Sequence, residues 1–305
     1  MKQYKTLKEL TLMDRFLFAE AMDDITTFEN FLSILLEQDI HLQHPPQTEK
    51  EFRNSANNRS IRVDVYAIDE DNIIYDAEAQ HQHLQHLPKR SRFYQGLIDC
   101  QLLKTGDVNF NKLNDSYIIF ISPFDLFGKG FYKYSFTAKC DQDPSLPLED
   151  GATRIFFNTR GSIRNGISDE AIALLHYIED ASLPSYHSNR LQQIHNYVEQ
   201  LKENEKVGIR FMQAWEEKIY ERQEAWEEGR EEGREEGREE EHTNHLNFVR
   251  NHLLKLLSIR DSISSELESR IMTEQDSDLL DSWFTIAITA SSIDDFISEV
   301  GISPL

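Results

Sequence analysis

The 305-residue chain has little cysteine, no long apolar run and a shortage of basic residues. Its two cysteines, Cys100 and Cys140, are too few for a disulfide framework and fit a reducing cytosol, so we expect a cytoplasmic protein. No apolar run reaches the roughly 18 residues of a membrane span, so we expect no membrane partner. The first residues also lack the apolar stretch of a secretory signal.

Basic residues are scarce relative to acidic ones: 32 Lys and Arg stand against 54 Asp and Glu, for a formal net charge of −22. This balance argues at first against a nucleic-acid partner, because phosphates bind to clustered Lys and Arg. The excess is unevenly distributed. Residues 1–185 hold 28 acidic and 19 basic side chains, whereas residues 216–241 hold 13 acidic and 5 basic ones. The long N-terminal region is therefore only mildly acidic, and the total charge does not exclude DNA.

The acidic segment 216–241 contains an internal repeat, EEGR, in which Gly229, Gly233 and Gly237 are four residues apart. A period of four is close to the helical 3.6, so the glycines form a stripe along one side of a helix. Each glycine costs a helix about 1 kcal/mol relative to alanine. Two interpretations follow: a solvated, partly frayed helical linker, or a helix that self-associates through close approach of two backbones. We expect a homo-oligomer formed through the helical tail, residues 188–245.

Apolar periodicity along the rest of the chain predicts an α/β or α+β core followed by helices. One or two helices are expected in residues 11–38, with Thr26 or Thr27 opening the second, and a polar connector is expected at 41–52. Strands are predicted at 60–67, 73–79, 116–123, 131–138 and 153–158, the first two as a hairpin. A helix is predicted at 89–105, ended by Gly106, and helices again from about residue 167, opened by a Ser cap.

Four polar residues of the predicted hairpin suggest a metal-binding or catalytic site. Asp64 lies in the middle of the first strand, and Asp76, Glu78 and Gln80 share one face of the second, because side chains alternate along a strand. Two carboxylates that converge on a sheet repel each other unless a cation lies between them. Oxygen ligands favour Mg²⁺ or Mn²⁺ over zinc, and such an ion activates water and stabilises charge on a phosphodiester. The alternative is that these carboxylates simply face water.

Six ordered stretches resemble the Rpn-type family of recombination-promoting nucleases and transposases, within the PD-(D/E)xK nuclease superfamily. They are MDRFLFAEAM at 13–22, RVDVYAID at 62–69, YDAEAQ at 75–80, LPKRSRFYQGLID at 87–99, YIIFISPFDLFGKGFYKYSF at 117–136 and DGATRIFFNTRG at 150–161. The resemblance covers about residues 10–185. The ordered set is more specific than the short motif formed by Asp64, Glu78 and Gln80.

The resemblance implies an α/β fold: a PD-(D/E)xK restriction-endonuclease-like core, with a mixed sheet flanked by helices, followed by a helical C-terminal tail. It implies a Mg²⁺- or Mn²⁺-dependent DNA endonuclease that hydrolyses phosphodiester bonds and promotes recombination or transposition. On this basis we divide the chain into a nuclease-like domain, a helical extension, an acidic EEGR-repeat helix or linker, and a small helical module. Their ranges are 1–187, 188–225, 226–242 and 243–305.

The resemblance also implies roles for individual residues. Asp64 and Glu78 are expected to bind the metal, with the backbone carbonyl of Ala79 as a third ligand. Gln80 stands where the superfamily signature has Lys; its amide cannot act as a general base but can position the attacking water. Asp64, Glu78 and Gln80 are thus the expected catalytic set.

The superfamily often adds an acidic ligand from the first helix. Asp14, Glu20 and Glu29 are the candidates here, and Asp14 is the one inside a matching motif. The residues alone do not choose among the three.

Basic residues on the helix after the hairpin form a candidate phosphate-binding patch. Arg90 and Tyr94 are four apart and share one face, where they either contact the scissile phosphate or brace Glu78. Lys89, Arg92 and Lys104 add positive charge beside the carboxylates.

Two alternatives remain open at this point. One is a catalytically weak or inactive nuclease-fold protein that acts as a DNA- or protein-interaction module, and the other is a ribonuclease. A zinc site at His81, His83 and His86 is disfavoured, because no cysteine lies nearby and the pattern suits a polar loop.

Overall fold

The computed structural model describes residues 5–55, 59–103, 106–182 and 188–301. The chain divides into two compact units, Met1–Ala214 and Trp215–Leu305. The strands of the first unit are β1 (Gln47–Phe52), β2 (Ile61–Ile68), β3 (Ile74–Ala79), β4 (Ser116–Ser122), β5 (Lys133–Phe136) and β6 (Ala152–Asn158). The helices are α1 (Arg15–Met22), α2 (Ile25–Leu36), α3 (Leu87–Leu102), α4 (Asp169–Asp180), α5 (Asn189–Glu203), α6 (Glu205–Ser258), α7 (Ser265–Thr273), α8 (Ser277–Thr289) and α9 (Ile293–Val300).

The six strands form one mixed sheet in the order β1-β2-β3-β4-β6-β5. The β1–β2, β2–β3 and β5–β6 pairs are antiparallel, whereas β3–β4 and β4–β6 are parallel. The predicted hairpin and the predicted central strand are both confirmed: β4 lies between two parallel neighbours, and Ile118–Ile121 are buried. A continuous apolar run is typical of a strand that is covered on both faces.

Helices cover both faces of this sheet. On one face, Val65, Ala77 and Ile119 pack in a core that also contains buried side chains of α1, α2, α4 and α5. On the other, Tyr66 and Phe120 pack with residues of α3. The expected mixed α/β architecture, with a helical C-terminal region, is therefore confirmed.

The beginning of α2 differs from the prediction. We expected Thr26 or Thr27 to open the second helix, but Asp24 is its N-cap and the helix begins at Ile25. The N–H and hydroxyl groups of Thr27 both donate to Asp24 Oδ2 at 2.8 Å. The charged Asp24 side chain satisfies a free helix N–H group, and the positive end of the helix dipole favours its carboxylate.

The predicted polar connector at 41–52 contains a strand, so that prediction is wrong in part. Strand β1 lies at the edge of the sheet and pairs with β2 from Gln47–Tyr66 to Phe52–Ile61. Five of its six residues are exposed or half-buried, because an edge strand meets a single neighbour and needs little apolar surface. Strand β5, at the other edge, is shorter than the predicted 131–138.

The tail is more regular than predicted. Helix α6 runs for 54 residues and passes through the whole repeat, so residues 226–242 are helical, which is one of the two predicted alternatives. The unit boundary at 214/215 also falls inside the predicted 188–225 extension. In the second unit, buried residues from the end of α6 and from α7, α8 and α9 form their own core, including Leu253, Ile271 and Trp283. No helix among the described residues is long and apolar enough to cross a membrane.

Candidate functional site

Asp64 and Glu78 face each other where β2 and β3 part. Backbone pairing of the two strands runs from Ile68–Ile74 to Val65–Ala77. Beyond that pair, carboxylate side chains accept the backbone N–H groups of the opposite strand. The Asp64 N–H donates to Glu78 Oε1 at 2.8 Å, and the Ala79 N–H donates to Asp64 Oδ2 at 3.1 Å. The structure thus brings together the two carboxylates that strand alternation and the hairpin predict as a pair.

Asp76 adds a third carboxylate on the face of β3 that carries Glu78. Its side chain is 0% exposed, and neither of its carboxylate oxygens has a hydrogen-bond partner in the part of the chain that the structure describes. Burial raises the pKa of Asp76 well above its usual range, and the nearby Asp64 carboxylate raises it further. An unpartnered buried carboxylate is costly to the fold, so it indicates a function or a missing ligand.

The acidity of the other two carboxylates is perturbed in the same direction. Burial raises the pKa of Glu78 well above its usual range, and the charges of Asp76 and Asp64 add to this effect. Burial also raises the pKa of Asp64, although the guanidinium of Arg15 opposes the increase. Three buried acids within electrostatic reach of one another are typical of a functional site.

Arg90, on the first turn of α3, holds the end of β3. Its Nη2 donates to Glu78 Oε2 at 3.1 Å, its Nη1 to Gln80 Oε1 at 3.0 Å and its Nε to the Tyr94 hydroxyl at 2.7 Å. The sequence left open whether Arg90 and Tyr94 contact a phosphate or brace Glu78, and the observed contacts are bracing contacts. Tyr94 is buried, which raises its pKa to about 12.

Arg15 is the residue that the sequence interpretation missed. It is the first residue of α1, and its Nε lies 2.9 Å from Asp64 Oδ1 and 3.3 Å from Glu49 Oε1. The available signal was its position inside the MDRFLFAEAM stretch, next to Asp14. Residues 15 and 64 are too far apart in sequence for periodicity to join them.

The three acidic candidates from the first helices have other contacts. Asp14 is the N-cap of α1 and accepts from the Phe16 N–H at 3.0 Å. Glu20 forms an ion pair with Arg210, and Glu29 accepts from the Leu42 N–H at 2.8 Å.

Two of the predicted phosphate-binding cations are available to solvent. Lys89 and Arg92 are exposed on α3, beside the half-buried Arg90. Lys104 lies outside the described residues. Lys89 and Arg92 are therefore positive charges at the surface of α3.

The three histidines after β3 are exposed, and the ring of His83 lies 4.7 Å from that of Phe124. Among the described residues, no group of three or more His, Cys, Asp and Glu side chains has an arrangement that could hold a metal ion. Zinc sites in proteins have three or four protein ligands. Mg²⁺ commonly binds through one or two carboxylates and completes its shell with water and substrate phosphate.

The oxygen donors at the strand ends are of the chemical type that such an ion binds. Asp64 and Glu78 supply oxygen atoms on adjacent strands, and the unpartnered Asp76 adds negative charge behind them. Ala79 follows Glu78 at the end of β3 and is held there by Asp64. The only cationic groups now paired with the two carboxylates, among the described residues, are the guanidiniums of Arg15 and Arg90.

Comparisons with known proteins identify no relative of this chain. No protein-family model matches the chain, no curated protein matches its sequence, and no solved structure matches its fold.

Proposed function

We propose that the protein is a metal-dependent DNA endonuclease with a PD-(D/E)xK-type core. The observation that carries the proposal is the set of three buried carboxylates, Asp64, Asp76 and Glu78, of which Asp64 and Glu78 lie across two strands that separate beside them. Buried like charges destabilise a fold unless protons or cations neutralise them. A divalent cation is the neutralising partner that also supplies chemistry.

The strand order and helix packing of the first unit support this assignment at the level of a mixed sheet flanked by helices. A β2–β3 hairpin with a parallel β4 beside it, and α3 packed on the face that carries Glu78, places the acidic residues of both strands next to the first turn of a helix. This arrangement supports the mixed sheet flanked by helices that the resemblance implies.

Asp64 and Glu78 would hold Mg²⁺ or Mn²⁺, with the carbonyl of Ala79 as a further oxygen donor. When bound, the ion lowers the pKa of a water molecule and stabilises the charge that develops on the phosphodiester. Arg90 keeps Glu78 and Gln80 in a fixed relative position through two hydrogen bonds. Its Nε bond to Tyr94 fixes the guanidinium itself.

Gln80 positions the attacking water and does not take a proton from it. Its Oε1 accepts from Arg90, and its Nε2 donates to the Gln82 carbonyl at 2.7 Å. An amide has no basic lone pair at neutral pH, so the proton of the attacking water leaves toward the substrate phosphate or solvent. Exposed Lys89 and Arg92 attract the DNA backbone, and this contribution weakens with added salt.

The test is cleavage of supercoiled plasmid by the full chain in Mg²⁺, compared with Asp64→Ala and with Asp71→Ala. Asp71 is an exposed acid on the turn of the same hairpin, so it is a matched control. We expect nicking by the wild type and by Asp71→Ala, and its loss in Asp64→Ala. Equal nicking by all three proteins would refute the assignment. The same comparison on single-stranded RNA distinguishes a ribonuclease.

A second candidate is favoured by one observation. Arg15 and Arg90 already pair with Asp64 and Glu78, so the acids are partly neutralised without a metal. A nuclease-fold protein that binds DNA or another protein without cutting would keep this arrangement. It predicts metal-independent DNA binding that is unchanged in Asp64→Ala, together with no cleavage by any of the proteins.

A further inference from the structure

Three glycines lie in the middle of helix α6, and no packing contact among the described residues explains their presence. Residues 221–245 are all exposed, including Trp226, which is 61% exposed. A Cβ added at Gly229, Gly233 or Gly237 would meet nothing within 4 Å. Glycine weakens a helix, and no close packing within the described chain compensates for it here. Any contact that requires a bare backbone at these glycines is therefore not one with the described residues of this chain.

A seven-residue pattern indicates which side of this helix makes that contact. With Ile219, Trp226 and Gly233 at position a, Arg222 and Gly229 fall at position d. This side of the helix thus carries three large side chains, Ile219, Arg222 and Trp226, followed by Gly229 and Gly233.

The charges in residues 215–233 follow the same pattern. The three basic residues Lys218, Arg222 and Arg230 lie at positions g, d and e, on or beside the a/d side. Of the eight acidic residues, six lie on the opposite side at positions b, c and f; they are Glu217, Glu221, Glu224, Glu227, Glu228 and Glu231. The side that carries the glycines is the less acidic side, so it can face a second acidic helix.

We propose that this side pairs with the same side of a second copy of the chain, in antiparallel orientation and centred near residue 224. In this register Ile219 of one copy packs on Gly229 of the other, which fills the space that glycine leaves. Arg222 packs on the indole of Trp226, a favourable cation–π arrangement. Within one chain Arg230 already lies 4.9 Å from the Trp226 ring, and the ring has a second face to offer.

The residues that flank the seam are complementary in the same register. Glu216 of one copy lies beside Arg230 of the other, and Lys218 lies beside Glu232, so the two-fold axis repeats each pair. A parallel pairing places Trp226 against Trp226 and Gly229 against Gly229, which crowds one layer and leaves the next empty. Large-to-small packing and charge both therefore favour the antiparallel pair.

The orientation is tested by cross-linking the full chain with a zero-length carbodiimide, using an equal mixture of isotopically light and heavy protein. Lys218 and Glu232 are 14 residues apart, about 21 Å along one helix, so a direct bond between them must join two copies. We expect a mixed light–heavy peptide that joins Lys218 to Glu232. Cross-links from Lys218 only to nearby glutamates such as Glu217 and Glu221 would overturn the antiparallel register.

The charge pairs are tested by sedimentation of the full chain over a range of concentrations. Glu216→Arg should raise the dimer dissociation constant at least about tenfold, because it opposes Arg230 twice, and adding Arg230→Glu should restore it. Glu224→Arg makes the same charge change at an outward position and should leave the constant within about twofold. A monomer at every concentration, or equal weakening by Glu216→Arg and Glu224→Arg, would overturn the proposal.

Discussion

Replacement of Asp76 by asparagine tests whether the buried carboxylates carry an electrostatic cost. Asp76 is fully buried, and its oxygens have no partner among the described residues, so Asp76→Asn removes an ionisable group and loses no hydrogen bond. The amide has nearly the same volume as the carboxylate, so we expect the packing to stay intact.

The expected effect follows from proton linkage. The pKa of Asp76 is raised by burial and by Asp64, so in metal-free protein the folded state keeps the proton at pH values where the unfolded state has lost it. The free energy of unfolding therefore falls as pH rises from the usual range of a carboxyl, near 3.8, through the raised value. For one group this slope reaches at most about 1.4 kcal/mol per pH unit.

Asp76→Asn removes this slope. Close to the usual range of a carboxyl, near 3.8, the two proteins should be similarly stable, and the variant should become the more stable one as the pH rises through the raised pKa of Asp76. The advantage is increased by a second effect: the charge of Asp76 also raises the pKa of Glu78, so Glu78 ionises at lower cost in the variant.

The measurement must report on the first unit alone. All three tryptophans, Trp215, Trp226 and Trp283, belong to the second unit, so their fluorescence follows the wrong part of the chain. Urea unfolding in EDTA, read by pulsed hydrogen exchange on the β4 peptide, reports the sheet beside Asp76. Asp71→Asn, on the exposed turn of the same hairpin, is the control. Parallel pH profiles for wild type and Asp76→Asn would refute the reasoning.

Three further predictions follow from the same site. Arg90→Ala should lower the free energy of unfolding by about 1–3 kcal/mol, since it releases the buried Glu78 from its partner, whereas the exposed Arg92→Ala should change it by less than about 0.5 kcal/mol; urea titration checks both. Mg²⁺ should stabilise the wild type more near about pH 8 than near about pH 6, because protons compete for carboxylates with raised pKa values, and Asp64→Asn should lose this gain in calorimetry. Asp14→Ser keeps a capping oxygen without a carboxylate, so plasmid cleavage should persist; its loss would restore Asp14 as a ligand.

Much of the fold could be read from local patterns. The hairpin, the central strand and the Ser168-capped helix have strong signals: β-branched alternation, a continuous apolar run and a serine at the N-cap, whose side chain accepts from the Ala171 N–H. Strand β1 could not be found in this way, because an edge strand with one neighbour carries a mainly polar sequence. The sequence leaves open whether the EEGR repeat is a frayed linker or a helix, because each glycine weakens a helix, and in the structure the repeat is helical throughout.

The candidate site, like the fold, has one part that local sequence patterns predict and another that they do not. Period-two alternation places Asp76, Glu78 and Gln80 on one face, and the hairpin places Asp64 opposite Glu78; both relations are local in the chain. The spacing of Arg90 and Tyr94 on one helical face is equally local. These residues could therefore be named before the structure was known.

Only the tertiary structure decided how those residues are held and charged. The pairing of Arg15 with Asp64 joins a helix to a strand 49 positions away, and no periodic pattern spans that interval. The isolation of Asp76 depends on everything packed around it, since burial and missing partners are properties of the folded environment. Sequence determined which carboxylates share a face, because that depends on backbone geometry; the fold determined their protonation, because that depends on desolvation and on charges brought from distant parts of the chain.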